Sequence, residues 1–169
     1  DLALSKTSSR HLDGGAGSQP IRRIVCFDQT EGAIVDPRVR NVAGSISDAA
    51  TVDALVDDTT QVVVHLAAVV SGTAEADFDL GMRSNLDSTR ALLDALRVAG
   101  QASGKPTRFV FSSSVAVFGP DAAMPMPSPV ADDTLPAPQS SYGIQKLICE
   151  HLVSDYTRKG FIDGRAARL

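Results

Sequence analysis

The sequence predicts an α/β fold with a doubly wound parallel sheet. Short, continuously apolar runs at residues 24–27, 62–66 and 109–111 are typical of strands buried on both faces of a parallel sheet. Segments with a three- and four-residue hydrophobic repeat alternate with these runs. Strands that alternate with amphipathic helices form βαβ units, which pack as a sheet covered by helices.

The helical segments are predicted at residues 48–56, 74–98 and 140–158. Ser140 or Ser141 is the candidate N-cap of the last one, because a serine hydroxyl can accept a free N–H of the first turn. The middle segment is predicted to be one long helix with a single buried face. The side chains that repeat along that face are Phe78, Met82, Leu86, Thr89, Leu93 and Leu96.

Both ends of the sequence are expected to be truncated. Residues 2–12 are predicted to form a helix with no strand before it, whereas a doubly wound nucleotide fold begins with a strand and a glycine turn. The glycine-dense residues 14–17 follow that helix rather than a strand, so we interpret them as a surface connection. Residues 165–169 begin another strand. We therefore expect residues 1–169 to be part of one nucleotide-binding domain, without its first strand, its glycine loop and the C-terminal substrate lobe.

Composition excludes several classes of partner. With 43% hydrophobic residues, a chain of 169 residues can bury one core. The formal net charge of -4 leaves no basic excess for a nucleic acid, and no apolar run approaches the roughly 18 residues of a membrane span. Cys26 and Cys149 lie in apolar stretches without a C-x-x-C pair, which favours reduced core cysteines and a cytoplasmic protein.

Tyr142 and Lys146 are the first candidate reactive residues. Their four-residue spacing at the start of the last predicted helix places the phenol and the ammonium on one helix face. A fixed adjacent cation favours the phenolate form of a tyrosine, which can then accept a proton. Taken alone, the same spacing is also common on ordinary helix surfaces.

Three serines follow the strand at residues 109–111. Ser112, Ser113 and Ser114 stand at the carboxyl end of a buried parallel strand, where open α/β sheets bind their ligands. The alternative is that the hydroxyls only cap the strand end. Because these serines precede the loop that leads to Tyr142, the pattern favours a functional site.

Two other strand ends carry candidate cofactor residues. Leu66, Ala67 and Ala68 follow the middle strand, and small residues there let a flat cofactor approach the backbone. His65 has no partner at ligand spacing, so it is predicted to be structural and no metal site is expected. Asp28 ends the first strand, where a carboxylate can accept both ribose hydroxyls of NAD and repel the extra phosphate of NADP. A solvated strand end is the alternative for Asp28.

This ordered set resembles the extended short-chain dehydrogenase/reductase family, also called the NAD-dependent epimerases/dehydratases, over about residues 21–169. The resemblance implies a Rossmann-like NAD-binding fold. It also implies that Tyr142 is the general base, that Lys146 binds the nicotinamide ribose, and that Ser114 hydrogen-bonds the reacting oxygen. Ser112 would lie against the nicotinamide.

The resemblance extends to residues outside the reactive set. Asn85 matches the helix asparagine that helps to organise the site in this family. Residues 44–48 match the stretch that holds the adenine, so Ser45 and Ile46 are cofactor-binding candidates and Ile46 would pack on the ring. The family usually has an acidic residue at the position of Ser45, which weakens a side-chain contact there.

Within the family, the stretch after the middle strand is most similar to members that oxidise the C2 hydroxyl of a four-carbon sugar acid. That similarity implies a small sugar-acid substrate bordered by Ser71 and Gly72. Ser114 and Tyr142 would flank its hydroxyl. A nucleotide-sugar epimerase or dehydratase that retains its NAD would use the same reactive residues, and a non-catalytic dinucleotide sensor is a third possibility.

The two long helices are also predicted to lie side by side and to form a homodimer interface, as they commonly do in this family. Their apolar side chains exceed what one sheet face can cover. The side chains proposed for that surface are Leu92, Leu96, Ile148 and Leu152.

Overall fold

The computed structural model describes residues 11–13, 18–121, 123 and 125–169. The chain divides into two compact units, Asp1–Gly44 and Ser45–Leu169. The glycine-dense stretch at residues 14–17, interpreted from the sequence as a surface connection, lies outside the described residues.

The described residues of the first unit include a pair of short antiparallel strands. Strand β1 (His11–Asp13) pairs with β2 (Ser18–Pro20), and His11 lies opposite Pro20. The prediction of a helix over residues 2–12 is therefore wrong at its last two residues, because their backbone groups bond to a neighbouring strand instead. The rest of that predicted helix lies outside the described residues.

A parallel pair of strands completes the first unit. Strand β3 (Ile24–Asp28) confirms the first predicted strand, and it pairs in parallel with β4 (Val39–Ala43). Strand β4 is not predicted from the sequence, because its five residues mix Arg40 and Asn41 with apolar side chains and form no continuous apolar run.

The second unit contains a parallel sheet in the order β5-β6-β7. Its strands are β5 (Val62–His65), β6 (Thr107–Ser113) and β7 (Ile162–Arg168), with Val62 opposite Arg108. The predicted strands are confirmed, although β6 is longer than the apolar run and β7 begins three residues before residue 165. The α/β class with parallel pairing is confirmed. In the part of the chain that the structure describes, the parallel strands form two sheets, since no strand there pairs with both β3 and β5.

Two predicted helices are found within one residue of their expected bounds. Helix α1 (Ala49–Leu55) begins after Asp48, whose carboxylate accepts the Ala50 N–H at 3.2 Å. Helix α5 (Ser141–Arg158) begins after Ser140, whose hydroxyl oxygen accepts the Gly143 N–H at 3.1 Å. Both caps satisfy N–H groups that have no partner inside the helix.

The segment at residues 74–98 is not the single helix that its periodicity predicts. Asp77 is extended and its carboxylate accepts the Leu80 N–H at 2.9 Å, so a new helix begins after it. Phe78, predicted to be buried, is consequently 58% exposed. The segment comprises α2 (Ser71–Ala76), α3 (Phe78–Gly81), a π-helix (Met82–Asp87) and α4 (Ser88–Ser103).

The core of the second unit lies between its sheet and the helices α1, α4 and α5. Burial of apolar side chains here supplies most of the free energy that holds these elements together. Its fully enclosed members are Val52, Leu92, Leu93, Leu96, Phe109, Phe111, Cys149, Val153 and Ile162. None of the helices in the described part of the chain has the length and apolar character needed to cross a membrane.

Candidate active site

The predicted reactive serines lie where β6 ends. Ser112 and Ser113 are the last two residues of the strand, and Ser114 follows it as the cap of a short 3₁₀ turn, Val115–Val117. The Ser114 hydroxyl oxygen accepts the Ala116 N–H at 3.2 Å. This bond fixes the side chain of Ser114 at the carboxyl edge of the sheet.

Lys146 projects from α5 to the same edge. Its side chain is buried with 3% exposed, and its Nζ donates to the backbone oxygen of Ser112 at 2.7 Å. The ammonium lies 4.7 Å from the centre of the Phe111 ring and 5.6 Å from the centre of the Tyr142 ring. Burial lowers the pKa of the Lys146 amine. The cation is therefore held beside the phenol, as the four-residue spacing predicts.

Gly143 allows the start of α5 to approach the turn that carries Ser114. A Cβ atom at this position would overlap the carbonyl oxygen of Ala116, and it would lie 3.0 Å from Cβ of Pro138. Only glycine fits this contact without displacing the backbone. The glycine between Tyr142 and the rest of the helix thus brings the two candidate hydroxyl groups to one region.

Asn85 links the loop after β5 to α5. Its Oδ1 accepts the Val69 N–H at 2.9 Å, and its Nδ2 donates to the Val69 carbonyl at 3.2 Å and to Oε1 of Gln145 at 2.8 Å. The Val69 pair fixes which atom of the Asn85 amide is oxygen. Asn85 thereby holds the candidate cofactor loop against the helix that carries Tyr142 and Lys146.

His65 is enclosed beneath this region. The Thr89 hydroxyl donates to the Asn85 carbonyl at 2.6 Å, so its oxygen accepts from Nε2 of His65 at 3.0 Å. Burial, with a smaller contribution from the charge of Lys146, lowers the pKa of His65 to about 4. His65 is therefore neutral near pH 7. Over the described residues, no group of three His, Cys, Asp or Glu side chains is arranged to hold a metal ion.

The loop after β5 leaves room beside the sheet edge. Leu66 is 50% exposed, and Ala67 and Ala68 are exposed as well. Ser71 and Gly72 begin α2, and both are exposed. A Cβ at Gly72 would meet no atom within 4 Å.

Glu75 fixes α2 against the start of α5. Its carboxylate accepts the backbone N–H of Ser141 at 3.0 Å. The candidate substrate residues at the start of α2 therefore belong to an element in contact with the first turn of the helix that carries Tyr142. This role of Glu75 is not predictable from the sequence, since an exposed glutamate on a helix gives no sign of a long-range partner.

The candidate adenosine residues belong to two units. Asp28 ends β3 in the first unit; it is exposed, and its Oδ1 accepts the Gln29 N–H at 2.6 Å. In the second unit, the Ser45 hydroxyl accepts the Ser47 N–H at 3.2 Å. Ile46 is partly buried and packs against the core.

A partly buried ion pair next to the reactive residues was also missed. Glu150 accepts the Ser113 hydroxyl at 2.5 Å and accepts three hydrogen bonds from Arg168, the shortest 2.7 Å. Burial alone would raise the pKa of the Glu150 carboxyl, but Arg168 and Ser113 outweigh it and the pKa lies below its usual value. The available signal was the spacing of Glu150 four residues after Lys146.

The structure corrects the surface proposed for the dimer. The two long helices do lie side by side, because Tyr156 of α5 donates to Asp94 of α4 at 2.8 Å. Leu92 and Leu96, however, are 4% and 0% exposed. Leu152 packs against the same core. Among the side chains proposed for the dimer surface, only Ile148 lies outside the core, and it is 37% exposed. The helical face with these leucines packs on the protein's own sheet.

Parallel strands with intervening helices define a Rossmann-like α/β protein, and a serine, a tyrosine and a buried lysine lie at the carboxyl edge of its strands. The chain belongs to the NAD dependent epimerase/dehydratase family, which it matches over residues 17–169. The family resemblance inferred from the sequence is therefore confirmed.

Two curated relatives carry the same name. D-erythronate dehydrogenase of Cupriavidus necator is 49% identical, across 98% of this chain and 48% of that protein. D-erythronate dehydrogenase of Haemophilus influenzae is 42% identical, across 79% of this chain and 40% of that protein. The chain thus spans about half the length of the curated relatives it matches. These relatives confirm the similarity to the sugar-acid group.

Solved structures agree with the fold. A nucleoside-diphosphate-sugar epimerase from Agrobacterium tumefaciens superposes with a TM-score of 0.81 at 44% identity, over 90% of this chain and 44% of that one. UDP-glucose 4-epimerase from Brucella ovis, solved in complex with NAD, gives a TM-score of 0.69 at 28% identity, over 85% of this chain and 43% of that one.

Proposed function

We propose that the whole protein is an NAD-dependent oxidoreductase that oxidises the C2 hydroxyl of a small sugar acid, such as D-erythronate, to the 2-keto acid. The observation that carries the proposal is the buried Lys146 ammonium, bonded to the Ser112 carbonyl and 5.6 Å from the Tyr142 ring. The two relatives named D-erythronate dehydrogenase support the choice of substrate.

The chemistry follows from the groups at the strand end. Tyr142, as a phenolate, accepts the proton of the substrate hydroxyl. The Lys146 ammonium stabilises the negative charge of that phenolate. Because the Ser114 oxygen already accepts the Ala116 N–H, its own proton is available to donate to the reacting oxygen. NAD, when bound, would supply the acceptor for the hydride that leaves C2.

The residues present fit NAD. The exposed loop of Leu66, Ala67 and Ala68 offers backbone that a flat group can approach, and Asn85 holds the next residues of that loop. Lys146 would bind the nicotinamide ribose and Ser112 would lie against the nicotinamide. The remaining cofactor residues in the proposal are Asp28 for the ribose diol and Ser45 and Ile46 for the adenine.

The substrate would lie between α2 and the strand end. The open space at Gly72 and the exposed Ser71 leave room for a small acid, whose hydroxyl would be flanked by Ser114 and Tyr142. The Ser71 hydroxyl and the backbone at Gly72 are neutral donors that can hold part of a carboxylate. An arginine from the rest of the whole protein would complete that hold.

A panel assay of the full-length protein tests the function. D-erythronate and related four-carbon acids are incubated with NAD, and NADH is followed by its absorbance. The proposal requires NADH formation with at least one acid and none with UDP-sugars. Absence of NADH formation with every acid of the panel would exclude the proposed reaction.

The second candidate is a nucleotide-sugar epimerase that keeps its cofactor through the cycle. The similarity to the Agrobacterium tumefaciens and Brucella ovis epimerases favours it. A UDP-sugar epimerisation assay on the same preparation separates the two functions. Epimerisation without net release of NADH would select this candidate.

The proposed assembly is a homodimer in the cytoplasm. Ile144 and Ile148 are 47% and 37% exposed and lie four residues apart on α5, so they form an apolar strip on its outer side. Cys26 and Cys149 are both free, which fits a reducing compartment. Sedimentation of the full-length protein decides between dimer and monomer.

A further inference from the structure

Two oppositely charged side chains of α5 end on neighbouring residues of β6. Lys146 Nζ donates to the Ser112 carbonyl at 2.7 Å, and Glu150 Oε1 accepts the Ser113 hydroxyl at 2.5 Å. Side chains four residues apart lie on one helix face and are close enough to form an ion pair. Nevertheless, the ammonium of Lys146 bonds to a backbone carbonyl and lies beside Tyr142.

Arg168 binds the Glu150 carboxylate, which would otherwise attract the Lys146 ammonium. Its Nη2 donates to Oε2 of Glu150 at 2.7 Å and its Nε donates to Oε1 at 3.0 Å, a two-pronged geometry that holds a carboxylate in one orientation. The guanidinium also lies 4.8 Å from the centre of the Phe118 ring. The side chains of Arg168 and Glu150 are only 26% and 11% exposed, so solvent screens the pair weakly.

The backbone fixes Arg168 to the same turn. Leu169 follows Arg168 in the chain, and its carbonyl accepts the N–H of Val115 at 3.0 Å. Val115 is the residue directly after Ser114. The end of β7 is thus tied to the turn that carries the candidate catalytic serine. Any loss of the guanidinium leaves the Glu150 carboxylate in place, still bonded to Ser113 and now without its cation.

We propose that Arg168 is a positioning residue, which acts through Glu150 to keep the Lys146 ammonium free for Tyr142 and the cofactor. This inference rests on the proposed function. Arg168 touches neither substrate nor cofactor in this role. Its effect is to neutralise a carboxylate that has the right spacing on α5 to capture the catalytic ammonium.

No other described group that faces Lys146 supplies a competing negative charge. His65 on β5 is neutral, because its pKa lies at about 4. Cys149 on α5 is a thiol, because burial raises its pKa to about 11. Tyr142 is the group whose phenolate the Lys146 ammonium stabilises in the proposed mechanism. Around the ion pair itself, the further charged or titratable groups are His151 beside Glu150 and Asp132 beside Arg168.

The test uses Arg168→Gln in the full-length protein, assayed by NADH formation across pH. We expect kcat/KM near pH 7 to fall about tenfold, the scale of coupling between contacting charged residues. The acid limb of the pH profile should move upward by about one unit, because Lys146 paired with Glu150 favours the phenolate less. The double variant Glu150→Gln with Arg168→Gln should recover both values to within about threefold.

Arg158→Gln is the matched control, since Arg158 binds Asp155 at 2.6 Å on the same helix but both side chains are mostly exposed. It should change neither value. A loss of activity in Arg168→Gln with no movement of the acid limb and no recovery in the double variant would mean a merely structural role and overturn the proposal. If Arg168→Gln does not fold, the double variant Glu150→Gln with Arg168→Gln provides the test. A shifted acid limb of the pH profile in that variant would contradict the proposal.

A crystal structure of Arg168→Gln, or of Arg168→Lys if the first does not fold, gives a readout that needs no substrate. In Arg168→Gln, Lys146 Nζ should leave the Ser112 carbonyl for the Glu150 carboxylate; in Arg168→Lys, which keeps the cation, it should stay. Lys146 unmoved in the first variant, or displaced in the second, would overturn the inference. If the unaltered protein oxidises no sugar acid, the proposed function fails, and these structures still decide the role of Arg168.

Discussion

The carboxylate of Glu75 on α2 accepts the backbone N–H of Ser141 at 3.0 Å, in the first turn of α5. The first N–H groups of a helix have no partner inside it, and a negative charge there interacts favourably with the helix dipole. Ser140, the N-cap residue of α5, accepts the N–H of Gly143 through its side-chain hydroxyl oxygen. Two elements distant in sequence therefore share the capping of the helix that carries Tyr142.

Replacing Glu75 by Ala should lower the free energy of unfolding by about 0.5–1 kcal/mol, because the Ser141 N–H loses its hydrogen-bond acceptor. It should also raise KM for the sugar acid more than it lowers kcat, because α2 carries Ser71 and Gly72. Glu75→Gln is the control, since its amide oxygen still accepts the Ser141 N–H. Urea unfolding and steady-state kinetics measure both effects. If Glu75→Ala and the unaltered protein have the same KM and kcat, α2 has no part in substrate binding.

Replacing Tyr142 by Phe should lower turnover at least about 100-fold, the usual contribution of a positioned acid/base group. The fold should remain, because the ring is kept. Tyr156→Phe is the matched control: it loses a bond to Asp94 and should cost about 1 kcal/mol of stability with turnover unchanged. Near-normal turnover in Tyr142→Phe would remove this residue from the mechanism.

Replacing Asp28 by Ala should narrow a preference for NAD over NADP in the full-length protein. The carboxylate is exposed and can accept a ribose diol, and it repels the additional phosphate of NADP. Asp36→Ala removes another carboxylate of the same unit, one already paired with Arg38, and should leave the preference unchanged. Equal use of the two cofactors by the unaltered protein would contradict the assignment of Asp28.

His65 should make the protein less stable in acid. Its pKa is 6.5 when exposed and about 4 in the folded protein, so the unfolded chain binds a proton first as pH falls. The stability is therefore complete above about pH 6.5 and declines by about 1.4 kcal/mol per pH unit toward pH 4. His65→Asn should remove this contribution to the slope in urea unfolding. The exposed His151→Asn should retain it, and identical slopes in both variants would refute the assignment.

Much of the second unit could be predicted from local sequence. The apolar run at residues 62–66 yields β5, and the caps Asp48 and Ser140 begin α1 and α5 where capping chemistry places them. Tyr142 and Lys146 lie together because a four-residue step on a helix fixes their separation. These features depend on residues close together in the chain.

The remaining features depend on partners far apart in the chain. The Glu150–Arg168 pair joins residues on α5 and β7, and the Glu75–Ser141 bond joins α2 to α5, so no local pattern reveals either. Phe78 follows the hydrophobic repeat yet lies outside, because the carboxylate of Asp77 starts a new helix before it. Hydrophobic periodicity carries no information about such an interruption.

The π-helix Met82–Asp87, marked by the bond from the Ser88 N–H to the Arg83 carbonyl, acts as a one-residue insertion in an otherwise ordinary helical stretch. Deleting one residue there would let a regular α-helical ladder continue into α4, and it would rotate the preceding residues by about 100° about the axis. Asn85 would then lose its alignment with Val69. The shortened protein would gain helical regularity but lose the bonds by which Asn85 holds the proposed cofactor loop, so a more regular helix there would cost both stability and catalysis.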